Sequence, residues 1–163
     1  MKRLWLVVLV FVLAGCAAMP TSGEKLILEN PAIASPSVDK ATVYFFREWK
    51  FGGGGISYYV FDGQEKIGAA WNGCYFAAPV SPGQHTFWGE TEGKKYITLN
   101  VEAEKEYYVA MAIGMGFWLG LPEFTQVTPE MAKLLIKDMK YCKLVPEPLE
   151  PPKPPAYISG NQN

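Results

Sequence analysis

The sequence predicts a mainly β protein, an antiparallel β-sandwich with one C-terminal α-helix. Three observations carry that expectation. Short β-branched and aromatic runs recur from Ala41 onward, separated by turns rich in glycine and proline. The run 95–101 alternates, with Ile97, Leu99 and Val101 on one face and Tyr96, Thr98 and Asn100 on the other, the pattern of a half-buried strand. Thr128-Pro129-Glu130 then supplies an N-cap, a first-turn proline and an acidic residue at the positive end of a helix.

The elements follow in order. Ala41-Thr-Val-Tyr-Phe-Phe-Arg-Glu48 reads as the first strand, and Gly52–Gly55 as a flexible loop. Ile56–Phe61 and Lys66-Ile67-Gly68 flank Asp62-Gly63, a hairpin signal. Gly73–Ala77 is a further strand, and Pro82-Gly83 has the spacing of a tight turn before Gln84–Trp88. Lys95–Val101 turns at Ala103-Glu104-Lys105 into Glu106–Ile113. In the helix, Met131, Leu134, Leu135, Met139 and Cys142 share the apolar side, with Lys133, Lys137 and Lys140 opposite.

The ends differ in composition. Met1-Lys2-Arg3, the apolar run Leu4–Leu13 and small Ala14-Gly15 have the three-part layout of a secretory signal. The run is shorter than the roughly 18 residues expected of a membrane span. Leu13-Ala14-Gly15-Cys16 resembles a bacterial lipoprotein signal, although Ala14, Ala17 and Ala18 also suit ordinary cleavage. The lipoprotein resemblance implies removal of residues 1–15 and fatty acyl chains, palmitate among them, on Cys16. Two or three chains anchor durably where one does not. Ala17, in place of aspartate, implies the outer membrane, facing the periplasm. Residues 16–40 read as lipidated N-terminus and tether, with Leu26-Ile27-Leu28 as an optional short strand, and 41–145 as the domain. Residues 146–163, with six prolines by Pro155, read as a disordered tail.

Composition excludes some functions. Removing residues 1–15 from the 163 leaves 148 and takes away Lys2 and Arg3, so the net charge of −1 becomes −3. No basic footprint for nucleic acid is present. Cys74 and Cys142 remain after lipidation, either as a disulfide that joins a strand to the C-terminal helix and suits an oxidising compartment or as two buried thiols. The sole histidine, His85, has no serine in a nucleophile context, and its expected role is structural. One histidine and two distant cysteines supply no standard zinc set, and Gly52–Gly55 lacks the Lys-Ser/Thr of a phosphate loop. Glu102, Glu104 and Glu106 read as a solvated acidic face. No catalytic residues, metal or cofactor are expected.

Ala41–Arg47, Asp62-Gly63, Ile67-Gly68, Asn72–Phe76, Pro82-Gly83-Gln84-His85 and Glu106–Val109, in that order, resemble a family of small bacterial lipoproteins known only as a domain of unknown function. The Pro82–His85 step is similar to that of small carbohydrate-associated or regulatory sandwiches with prealbumin-like topology. The resemblance implies a prealbumin-like sandwich and an envelope location. It brings no catalytic residues, and Cys74 departs from the small polar residue expected there.

The stretch Val109–Leu121 carries the expected contact surface, at Met115, Phe117, Trp118 and Leu119. The expected function is a non-enzymatic binding or structural module that meets the membrane through its lipid and an envelope protein or glycan through its domain. Abundant aromatics leave peptidoglycan or other glycan binding or processing as the alternative. An exposed aromatic row favours glycan, and an exposed apolar 113–121 patch favours protein.

Overall fold

A computed structural model describes residues 19–21, 24–28 and 38–145. Cys16, the expected signal 1–15 and the expected tail 146–163 lie outside the described residues. The strands are β1 (Lys25–Leu28), β2 (Ala41–Arg47), β3 (Tyr59–Asp62), β4 (Glu65–Ala69), β5 (Cys74–Val80), β6 (Gly83–Glu90), β7 (Lys94–Val101), β8 (Glu106–Gly114) and β9 (Leu121–Val127). Helix α1 (Pro129–Ile136) and strand β10 (Lys140–Leu144) follow. Sheet order is β1-β10-β5-β2-β8-β9 in a six-stranded sheet and β4-β3-β6-β7 in a four-stranded one. The two sheets pack as a sandwich, so the mainly β class with one helix holds.

Strand β2 organises the core. All seven of its residues are buried, as expected of a central strand covered on both faces. On the inner face Phe45 stacks with Phe76 at 5.1 Å and meets Phe87 of the opposite sheet edge-on at 5.0 Å. On the outer face Tyr44 stacks with Tyr108 at 5.0 Å, and α1 closes over them through Ala132 and Ile136. Burying each such ring contributes about 1.5–3 kcal/mol.

Three features correct the sequence expectations. The six-stranded sheet is mixed: β2 pairs parallel with β8, and β5 parallel with β10. Parallel neighbours need a long connection, and between β2 and β8 the chain builds β5 and the entire four-stranded sheet. The optional strand in the tether is present as β1 and pairs antiparallel with β10, so the folded unit reaches back to Lys25 and does not start at residue 41.

The third correction concerns the helix. Thr128 caps it, its hydroxyl accepting the Met131 N–H, but it ends at Ile136. Its buried residues are Ala132 and Ile136, while Met131 and Leu134 face solvent. Met139 lies in the following turn, and Cys142 is on β10. Cys74 and Cys142 form a disulfide with Cα atoms 5.7 Å apart, so the bridge joins two strands and not a strand to the helix.

Candidate functional site

Because β2 and β8 run parallel, both finish at the same end of the sandwich. The loop after β2, the loop between β8 and β9, and the β6–β7 turn of the other sheet meet at this loop end. The exposed large apolar side chains there are Trp49, Phe51, Met115, Phe117, Trp118 and Leu119. The sequence had singled out the last four, and Trp49 and Phe51 join them from the first loop.

Both loops are braced. Arg47 ends β2 only 3% exposed, and its guanidinium holds the first loop from inside. Its Nη1 donates to the carbonyls of Ile56 at 2.6 Å and Ala70 at 2.8 Å, and Nη2 to that of Gly53 at 2.8 Å. Burial pulls the arginine pKa down, and nearby Tyr58 partly opposes this. Guanidinium nonetheless keeps its charge, so the bonds are charge-assisted. Asn72 closes the loop base, accepting the Lys50 N–H at 2.9 Å and donating to its carbonyl at 2.8 Å. Two of the four glycines are closely packed: at Gly54 a Cβ would sit 2.5 Å from the Lys50 carbonyl oxygen, and Gly53 has φ 73° against Ile113, whereas Gly52 and Gly55 face open space.

Glu92 braces the second loop with the opposite polarity. Its Oε2 accepts the N–H groups of Trp118 at 2.7 Å and Leu119 at 3.0 Å, and Oε1 that of Phe117 at 2.5 Å. The Trp118 and Leu119 N–H groups, with a smaller contribution from Phe117, hold this carboxyl below its ordinary pKa. Thr91 adds a hydroxyl bond to the Gly120 carbonyl at 2.5 Å. These four backbone groups are satisfied from beneath, and the side chains stand outward, with Phe117 and Trp118 edge-to-face at 4.9 Å.

Beside the first loop is an open depression of about 550 Å³, lined by Lys25, Glu48, Trp49, Asp138 and Met139 among others. Lys25, from β1, also places its Nζ 5.9 Å from the centre of the Trp71 ring.

A second aromatic group stands on the outer face of the four-stranded sheet. Phe61 and Trp88 stack at 4.3 Å, Lys94 lies 4.6 Å from the centre of Trp88, and Lys66 lies 4.3 Å from that of Tyr59. Trp88 donates its indole N–H to the Gly63 carbonyl at 2.6 Å. These ring faces are used within the protein, and Tyr96, 59% exposed, is the most open ring of the group.

His85 lies away from both. Its Nδ1 is 2.6 Å from Asp62 Oδ2 and its Nε2 is 2.8 Å from the Ser81 carbonyl oxygen. Both nitrogens are engaged in joining the end of β3 to the β5–β6 turn. The three alternating glutamates do not converge: Glu102 pairs with Lys105, Glu106 with Lys133 and the Tyr108 hydroxyl, and Glu104 occupies a turn at φ 63°. Among the described residues no group of three or more His, Cys, Asp and Glu side chains is placed to hold a metal ion, and no helix is long and apolar enough to cross a membrane.

Comparison with protein-family models, with curated proteins and with solved structures finds no match in any of the three.

Proposed function

We propose that this chain is a lipid-anchored bacterial envelope protein, held on the outer membrane through Cys16 and facing the periplasm, that works as a non-enzymatic binding module. The loop end is its contact surface. The observation that carries this reading is the set of exposed side chains on two internally braced loops: Phe51 at 92%, Met115 at 94%, Phe117 at 82% and Trp118 at 84%. Monomeric proteins leave large apolar side chains clustered in water where they have a partner to meet. The bracing by Arg47 and Glu92 lowers the ordering cost of binding, because the loops are held before the partner arrives. The family resemblance stated above agrees with this reading and belongs to the proposal.

The test has two arms. Cys16→Ser removes the sulfur nucleophile and is expected to abolish labelling by a fatty-acid analogue; unchanged labelling refutes the anchor. A photo-reactive residue at position 117 in living cells is expected to capture a reproducible envelope neighbour; reproducible absence of any protein, lipid or glycan adduct refutes the contact surface. A glycan partner is the second reading, favoured by the open Tyr96 ring on a sheet face that also presents Lys66 and Lys94. Retention on peptidoglycan or a sugar array, lost in Tyr96→Ala, would establish it; no retention disposes of it.

A further inference from the structure

Resting on the reading of the loop end as the contact surface, we propose that its partner is the surface of a phospholipid bilayer. Phe51, Met115, Phe117 and Trp118 enter the interfacial layer, with Trp49 at its edge. The domain is thereby held end-on to the membrane by a contact separate from the Cys16 lipid.

The first support is shape. These four side chains are 82–94% exposed, so each projects with almost no protein wall beside it. Aromatic anchors at protein interfaces sit in well-packed, desolvated pockets, which requires a partner already shaped around each one. A bilayer interface deforms around projecting groups. The second is chemistry. Tryptophan has an apolar body and a polar N–H and collects at membrane interfaces, while phenylalanine and methionine are apolar throughout.

The third is the state of the backbone. A loop entering lipid cannot leave N–H groups unpaired. In the second loop the N–H groups of Phe117, Trp118 and Leu119 are already bonded to Glu92, and the Gly120 carbonyl to Thr91. In the first, the Gly53 and Ile56 carbonyls are bonded to Arg47. The exposed Glu92 carboxylate, held ionised by those N–H groups, limits entry to the projecting side chains.

The fourth is the path of the chain. The side chain of Lys25 lines the same depression as Trp49, while its backbone pairs with Leu144, and β1 runs from there toward the loop end, where Lys140 pairs with Cys74. Lys25 is nine positions after Cys16, a span of at most roughly 30 Å when extended. A lipid on Cys16 therefore keeps this end within reach of the bilayer that holds the lipid. A single lipid attachment leaves a domain free to swivel, and a second apolar contact removes that freedom. Charges near the loops are mixed, with Glu48, Lys50, Glu92, Asp138 and Lys140, so the contact is apolar and insensitive to salt.

The test uses the full chain reconstituted in phosphatidylethanolamine–phosphatidylglycerol vesicles, with and without bromine on the acyl chains. Tryptophan emission is compared between the natural protein and Trp49→Phe/Trp118→Phe, both of which, once residues 1–15 are removed, keep Trp71 and Trp88. The expected result is bromine quenching that is greater in the natural protein, falls in Phe117→Asp and persists at high salt. Equal quenching in the natural protein and the double variant overturns the proposal. A photo-reactive residue at 117 separates the two readings. Adducts with lipid support the bilayer. Adducts with one envelope protein or with a second copy of this chain, without the extra quenching, overturn the bilayer proposal and leave the contact surface standing. No adduct and no extra quenching overturn both.

Discussion

The carboxylate of Glu92, on the turn of the four-stranded sheet, accepts the backbone N–H of Trp118, in a loop of the six-stranded sheet, at 2.7 Å. One side chain thus ties the two sheets together at the loop end and fixes how the exposed apolar side chains are presented. The bond has a pH signature. The folded-state pKa of Glu92 is depressed by these N–H groups, so the stability it contributes is fully present above the unfolded carboxylate value, near 4.3 on average, and is lost as pH falls through the lower folded value. Amide exchange protection of Phe117, Trp118 and Leu119 is expected to hold at neutral pH and to fall on acidification. In Glu92→Ala it should be low throughout. Protection that is the same in the two proteins would contradict the bracing role. Glu24 is depressed in the same direction, chiefly by the Tyr59 hydroxyl, and is common to both proteins, so their difference isolates Glu92.

Arg47 performs the matching task in the first loop. Arg47→Met fills the space with an apolar chain but leaves the carbonyls of Gly53, Ile56 and Ala70 without their donor. The expected loss is about 2–4 kcal/mol in urea unfolding, the cost of removing charge-assisted bonds from desolvated acceptors. Arg47→Lys keeps the charge but not the planar fork that reaches three acceptors, and it should recover only part of the loss. A full recovery would show that charge, not geometry, holds the loop.

The two braces also mark the limit of what the sequence reveals. The strands were legible because their signals are local: alternation in 95–101 and turn residues on either side. Met115, Phe117, Trp118 and Leu119 were legible because an apolar, glycine-interrupted stretch that is too short to span a membrane stands out by composition. Glu92 was not, because its partners lie 25–27 residues away along the chain, and Arg47 was not, because its acceptors are backbone carbonyls 6, 9 and 23 residues away, which leave no pattern of residue types. Strand β10 was hidden for another reason. Met139 and Cys142 continue the spacing of the helix, but the helix stops at Ile136 because residues 140–144 gain partners on both sides, β5 and β1. Pairing with distant strands overrode a locally acceptable helix.

The helix face gives a clean contrast. Ala132 is fully buried against the sheet, so Ala132→Leu has no room and is expected to cost about 1–3 kcal/mol. Ile136→Ala, which opens a cavity, is expected to cost about 2–5 kcal/mol. Met131→Ala and Leu134→Ala remove side chains that are 56% and 65% exposed, and should stay within about 0.5 kcal/mol. Chemical unfolding of the four variants distinguishes this face from the one that helical spacing alone suggests; a large loss at Leu134 would restore the latter.

The Cys74–Cys142 disulfide closes a loop of 68 residues between β5 and β10. Its position gives it more to do than shorten the unfolded chain. Strand β10 meets β5 at only two paired positions, Lys140 with Cys74 and Tyr141 with Tyr75, and β1 meets the rest of its sheet only through β10. The bridge therefore fastens a two-stranded edge to the sheet. Cys74→Ala/Cys142→Ala is expected to lose roughly 2–4 kcal/mol, since closing a loop of that length restricts the unfolded ensemble. The loss should be uneven: amides of Lys25–Leu28 and Lys140–Leu144 are expected to exchange faster first, while β2, β8 and Arg47 keep their protection. Both cysteines are almost fully buried, so reductant alone should act slowly unless the edge first opens. Exchange that rises evenly over the whole domain in the double variant would show that the bridge acts on global stability alone, and that β1 and β10 are held by their own pairing.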